Sequence, residues 1–235
     1  MFTKKIHNIF AVAAMFFVIL AALLTSFQIA IYGDADYSFY QSLYEKYHVT
    51  EDLHMEMSDV MEVTDYMMAY LIGEEDELSI VTDVDGKEQD FFNEQDRLHM
   101  ADVRNLFLHG LKLRNVLLVV AAVLIGALFG DKADWKNLLS KAYMRALVVF
   151  LALTAFLGIA FAVDFTRCFT IFHEIFFTND LWLFDPETDY MIRMLPEGFF
   201  ADMVIRIGIV FLCMLAGLYF IIRLCRMVGK KKSNK

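Results

Sequence analysis

Two histidines carry the chemistry that this sequence offers. His99 lies in RLHMADVRNLF and His173 in FHEIFFTNDLW, each with a carboxylate close behind it, Asp102 and Glu174. Imidazole has an ordinary pKa of about 6.5, so one ring can take a proton from a nucleophile while another returns one to a leaving oxygen. On a helix, His99, Asp102, Val103, Leu106 and Gly110 fall within about 60° of one another. A carboxylate at i+3 that accepts from one ring nitrogen leaves the other free for proton transfer, although the same spacing also makes plain surface pairs. No protein nucleophile accompanies the two rings. Ser38, Ser42, Ser58 and Ser79 have no GxSxG elbow around them, and Cys168 sits five residues from His173, about 140° away on a helix. HExxH and CxxC patterns are absent too, so no metal site is assigned and no cofactor is expected. Acid–base groups without a nucleophile point to a substrate that brings its own.

The elements that must hold these rings belong to a membrane protein. Of 235 residues, 58% are hydrophobic, with 23 Phe against 2 Pro, above the roughly 45–50% usual for soluble domains. The excess gathers into four runs, Ile9–Ile31, Val116–Phe129, Leu147–Val163 and Met203–Ile222, and about 20 helical residues cross a bilayer core. The first run follows Lys4 and Lys5 but exceeds a signal-peptide core and lacks a small-x-small cleavage site, so it reads as a retained helix. The second is short, and its helix is expected to begin upstream, through Asn105–Leu113. Cys168, Cys213 and Cys225 supply no paired framework. A net charge of -9 argues against a nucleic-acid partner, which would demand a basic face.

Charge placement sets the expected topology, because cytoplasmic flanks collect Lys and Arg. Lys4 and Lys5, then Lys132, Lys136, Lys141 and Arg145, then Arg223, Arg226, Lys230, Lys231, Lys232 and Lys235 flank alternate ends of the runs. These segments hold only Asp131 and Asp134, so 28 of the 30 acids fall in Gly33–Arg114 and Asp164–Arg206. The expected architecture is an all-α membrane protein with four transmembrane helices, both termini inside, and a small extracytoplasmic cap of helices with a short β-hairpin. The spans are drawn at 9–31, 113–129, 146–163 and 203–222, the cap at 33–112, an aromatic outer loop at 164–202, an inner loop at 130–145 and a basic tail at 223–235.

Within the cap, Thr50 before Glu51 and Asp52, and Ser58 before Asp59, look like helix starts. SDVMEVTDYMMAYLIG spaces Val60, Val63, Met67, Met68 and Leu71 near a helical period, with Gly73 as a stop, and Asp85-Gly86 between two short runs signals a hairpin. Asn93 is placed to cap a helix that runs unbroken into the second span. In the outer loop, Phe165, Phe169, Phe172 and Phe176 form a stripe suited to acyl chains at the headgroup level, and Asp185-Pro186-Glu187 supplies a helix start. His109 is expected to line a pathway or to be structural. His7, His48 and His54 read as solvated residues.

The four-span plan, RLHMADVRNLF entering span two, and FHEIFFTNDLWLFDP with a later LPEGFF together resemble the lipoprotein intramolecular transacylase family, Lit, of Gram-positive bacteria. The likeness covers nearly the whole chain; its specific parts are the two His-centred motifs, while the first outer segment matches mainly in length and placement. It implies an enzyme of the cell membrane, active at the extracytoplasmic face, with diacylglyceryl-modified lipoproteins and membrane lipid as its partners. Such an enzyme moves the sn-2 acyl chain of an S-diacylglyceryl N-terminal cysteine onto that cysteine's own α-amine, leaving a lyso-form lipoprotein. The family's essential histidines fall on His99 and His173, and Asp102, Arg104, Asn179 and Trp182 lie inside the motif blocks. In this reading His173 is the base, His99 oriented by Asp102 donates to the departing glycerol oxygen, or the reverse, and Arg104 or Arg167 steadies the oxyanion. The competing reading is a non-enzymatic four-span accessory protein whose acidic cap binds a partner. The two separate on whether His99 and His173 meet: rings more than about 10 Å apart share no reacting centre.

Overall fold

The computed structural model describes residues 2–233, with side chains through Met227; the tail residues Lys230, Lys231, Lys232 and Lys235 lie outside the described side chains. Eleven elements follow one another along the described chain: α1 (Lys4–Tyr32), α2 (Ser38–Lys46), α3 (Val49–Leu53), α4 (Met57–Ile72), β1 (Val81–Val84), β2 (Lys87–Asp90), α5 (Glu94–Gly130), α6 (Trp135–Val163), α7 (Phe165–Phe176), α8 (Tyr190–Met194) and α9 (Glu197–Ser233). Helices α1, α5, α6 and α9 are long and apolar enough to cross a membrane. The chain divides into two compact units.

One unit comprises residues 1–30, 111–159 and 206–235. Its outward surface is apolar, with Val119, Val123, Val148, Phe156, Ile209 and Phe220 exposed, as lipid rather than water demands. Its seam is built on small residues of α1. Ala11, Ala14 and Ala22 let backbones approach closely, and Ile19, Leu139, Phe150, Phe211 and Leu215 fill the remaining space. The buried Tyr143 hydroxyl donates to the Leu215 carbonyl, so its polar tip is satisfied inside the bundle. His7 differs from its expected solvated state. It is buried, and its Nε2 lies 2.6 Å from Asp131 Oδ2, because the first turn of α1 packs against the turn that follows α5.

The other unit comprises residues 31–110 and 160–205. Helix α4 forms over the periodic Val60, Val63, Met67 and Met68, all buried, and stops at Gly73, whose φ of 88° lets Glu74 N–H reach back to the Ala69 carbonyl. β1 and β2 pair antiparallel with Val84 opposite Lys87, and Asp85 and Gly86 both take positive φ, the tight turn that matches strand twist. Thr50 and Ser58 sit one residue inside α3 and α4 rather than at their caps. The Asp185-Pro186-Glu187 helix start is corrected as well. Asp185 closes a turn there, accepting from Glu187 and Asp189 N–H, and α8 begins only at Tyr190.

Three polar ties hold these short elements. Arg193 donates to Asp52 and, at 3.0 Å, to Asp85, which also meets His54 at 2.8 Å. The Arg193 guanidinium beside it holds the Asp85 carboxyl below its usual range. Buried Tyr44 bonds Thr64 at 2.7 Å and stacks on Phe199 at 5.8 Å. Tyr47 donates to Asp202 at 2.8 Å, and its ring passes so close to Gly198 that a β-carbon there would approach ring atoms inside 3 Å. Gly198→Ala is therefore expected to cost about 1–3 kcal/mol through overpacking, read as a lower thermal midpoint in detergent. An unchanged midpoint would mean that the Tyr47 ring yields freely.

Candidate active site

Helix α5 begins as its residue types dictate. Asn93 Oδ1 accepts from Asp96 N–H and Asp96 Oδ2 accepts from Asn93 N–H, both at 3.0 Å, a reciprocal cap. The Asn93 side-chain amide also donates to buried Asp189, whose second oxygen accepts from Asp185 N–H at 2.6 Å. Beside it, Gln95 donates to the carbonyls of Leu181 and Leu183 at 3.0 and 2.9 Å. One turn of α5 thus fastens the irregular stretch between α7 and α8. Burial, aided by the Asp189 charge, pushes the Asp96 carboxyl up to about 6.

His99 follows one turn after this cap. Helix α5 has 37 residues, about 55 Å, against about 30 Å of hydrocarbon. Its first turns therefore lie beyond the apolar run that spans. The second ring comes from α7, whose first turn is closed by Asp164 accepting from Arg167 N–H at 2.9 Å. His173 is the one buried residue of α7. The two rings stack at 6.0 Å between centroids with 26° between planes, 6% and 7% exposed. Phe177 and Phe184 stand edge-on to His99 at 5.2 and 5.3 Å. Trp182 stacks on His173 at 4.9 Å, with Phe169 edge-on at 4.4 Å.

The rings differ in their hydrogen bonds. His173 Nδ1 lies 2.8 Å from the Phe169 carbonyl, one helical turn back. A carbonyl only accepts, so the proton sits on Nδ1 and Nε2 presents a lone pair. His99 Nδ1 is buried with no hydrogen-bond partner among the described residues. Burial, with the neighbouring His173 adding to it, pushes the His99 pKa down to about 4; burial also lowers that of His173. Both imidazoles are neutral at pH 7.

The other predicted residues divide. Asp102 does not orient His99. Its Oδ2 accepts from Asn179 Nδ2 at 2.9 Å, because Asn179 is locked in a tight turn that presents its amide, with Oδ1 accepting from Leu181 N–H and its carbonyl accepting from Trp182 Nε1. Asn179 thereby joins the Asp102 face of α5 to the indole that stacks on His173. Glu174 is exposed, about 100° around α7 from His173. Arg104 lies over the Tyr70 ring at 4.6 Å and reaches the Asp76 carbonyl, so it braces α4. Arg167 is exposed at the start of α7. Beside the pair, a cleft of about 260 Å³ is lined by Asp102, Asn105, His109, Phe177, Thr178 and Asn179.

With this geometry in hand, comparison with known proteins identifies the lineage. The model of the family described as lipoprotein intramolecular transacylase Lit matches residues 12–200. The chain belongs to the Lit family. It is a multi-pass membrane enzyme of the transacylase class, and its substrates are lipoproteins. Among curated proteins compared by sequence, none matches it. Its fold is that of the membrane-integral Lit of Bacillus cereus, solved in meso: 20% identity, 99% of this chain and 100% of that one covered, TM-score 0.77. Two further structures, of B. cereus Lit with a histidine changed to arginine or to alanine, match at 19% and 20% identity. They cover 98% and 97% of this chain and 96% of each of theirs, and both have a TM-score of 0.72.

Sequence patterning in this Lit chain reveals neither Phe177 and Phe184 as neighbours of the pair nor Asp189 as the partner of the Asn93 cap. The signal that exists is FFTNDLWLFDP, a dense aromatic run interrupted by turn formers. Neutral burial also has a measurable sign. Between about pH 6.5 and about 4 the unfolded chain binds a proton at His99 that the folded chain refuses, so this group's share of stability is lost as pH falls. Histidine-selective NMR of the detergent-solubilised protein is expected to show His99 neutral until about pH 4, and a midpoint near 6.5 would mean a solvated ring. Asp96, raised to about 6, acts in the opposite sense, stabilising at low pH and fading as pH rises.

Proposed function

We propose that this chain carries out the intramolecular transfer at the His99–His173 pair, on the extracytoplasmic side of the cell membrane. The α-amine of an S-diacylglyceryl cysteine attacks the carbonyl of its own sn-2 ester. A C–N bond forms, the ester C–O bond breaks, and the products are an N-acyl cysteine and a free glycerol hydroxyl. No enzyme nucleophile is required, and holding amine and ester together supplies about 7–11 kcal/mol of barrier lowering.

The observation that carries this reading is the 2.8 Å contact between His173 Nδ1 and the Phe169 carbonyl. With Nδ1 committed to the Phe169 carbonyl, Nε2 is a neutral, aromatic-walled base. It takes the proton that the tetrahedral adduct loses from nitrogen and delivers it to the departing glycerol oxygen, so the site's proton count is unchanged. His99, neutral and stacked alongside, hydrogen-bonds the departing oxygen through its ring N–H. Trp182 and Asn179 keep the His173 ring in place, and Asp102 anchors Asn179. Arg104, committed to Tyr70, is given no oxyanion role. That histidine variants of B. cereus Lit were chosen for structure determination agrees with a histidine-centred site in the family.

Mass spectrometry of the N-terminal lipopeptide of one abundant lipoprotein tests this in cells with and without the gene. The N-acyl, S-monoacylglyceryl form is expected only with the native protein, and His173→Ala or His99→Ala should lower its formation about 100- to 10,000-fold. An unchanged diacylglyceryl form in every strain, despite normal expression, would refute the enzyme reading. His109→Ala, in the cleft wall, should cost less than tenfold, about the scale of a lost contact rather than a lost base. A loss equal to that of His99→Ala would place His109 in the chemistry.

A further inference from the structure

A second cavity, of about 440 Å³, lies within the membrane unit, between the early turns of α6 and the late turns of α9. Ser140, Tyr219, Arg223 and Arg226 give it a polar, cationic edge, and Met144 and Ile222 give it an apolar wall. Arg223 is held in position: it donates to the Tyr219 hydroxyl at 2.6 Å, and its guanidinium lies 5.8 Å from that ring. Among the described residues no carboxylate pairs with Arg223 or Arg226. Asp131, an acid of the neighbouring loop, is engaged by His7 and by Phe2 N–H instead.

Two guanidinium groups with no carboxylate partner among the described residues, set where helices leave hydrocarbon, attract an anion whose other parts prefer the bilayer. A free phosphate would satisfy the cations and leave the Met144 and Ile222 wall bare. A phospholipid satisfies both. We propose that this cavity binds an anionic phospholipid, its phosphate against Arg223 and Arg226 and its glycerol and upper acyl carbons along Met144 and Ile222. The surplus of Lys and Arg at this end of the spans assigns it to the inner leaflet. The site shares no residue with the histidine pair and does not depend on the transacylation reading.

Native mass spectrometry of the full chain released from nanodiscs of equal phosphatidylglycerol and phosphatidylcholine tests the assignment. The native protein is expected to retain one phosphatidylglycerol per chain in preference to phosphatidylcholine; equal retention of the two would overturn the proposal. Each basic group near an anionic lipid is worth about fivefold in affinity, so the Arg223→Gln, Arg226→Gln double variant should lose roughly 30-fold. Lys132→Gln with Lys136→Gln, which removes the same charge outside the cavity, should retain the lipid, and an equal loss there would reduce the effect to diffuse charge. Ser140→Trp narrows the cavity with both arginines intact. It should also weaken retention, and unchanged retention would overturn the cavity as the site even if the double variant folds poorly. Millimolar inorganic phosphate should not displace the lipid; displacement would make this a small-anion site instead.

Discussion

The first turn of α5 exposes backbone N–H groups that have no partner inside the helix, and the way Asn93 meets that demand governs the rest of the cap. A capping residue usually works only on its own helix. Here its side-chain amide also donates to Asp189, 96 residues away, while Gln95 takes two carbonyls of the intervening stretch. The aromatic segment cannot drift from α5 without breaking bonds to buried polar atoms, and losing such bonds costs about 1–3 kcal/mol apiece. His99, one turn further on, inherits that rigidity, and so do Phe184 and Trp182, which wall the pair.

Among the described residues no carboxylate is hydrogen-bonded to either ring of the pair, although the Asp102 charge still acts on His99. Most carboxylates of the chain lie in residues 33–114 and 164–206, but those next to the histidines in sequence are turned elsewhere, Glu174 into the open and Asp102 onto an amide. A carboxylate bonded to either ring would favour the imidazolium. Burial among aromatic rings does the opposite and favours the neutral form of both. The Nδ1 of His99 is buried with no hydrogen-bond partner among the described residues, a costly state for a polar atom.

What could be read from the sequence was local. The Asp85-Gly86 turn, the Gly73 stop, the Asn93 cap and the stripe that became α7 all depend on residues within a few positions of each other, and each formed where its pattern indicated. Four long apolar helices followed from composition alone. Partnerships across the chain were illegible, because nothing in RLHMADVRNLF announces that Asn179, 77 residues on, will claim Asp102. The same blindness sent His7 to solvent in expectation, although its partner Asp131 is 124 residues away. Helix α2 had a readable signal in Tyr40, Leu43 and Tyr44, three residues at helical spacing that now form part of the core.

Arg193 has a bearing on how such a chain is made. It bridges α8 to Asp52 and Asp85, at separations of 141 and 108 residues. A ribosome delivers those acids long before the arginine, and two apolar helices must be threaded into the bilayer in between. Until α8 emerges, Asp52 and Asp85 lack the guanidinium that ties them together. A nascent chain arrested before α6 and α7 would carry His99 but neither the second histidine nor the arginine that clasps Asp52 to Asp85.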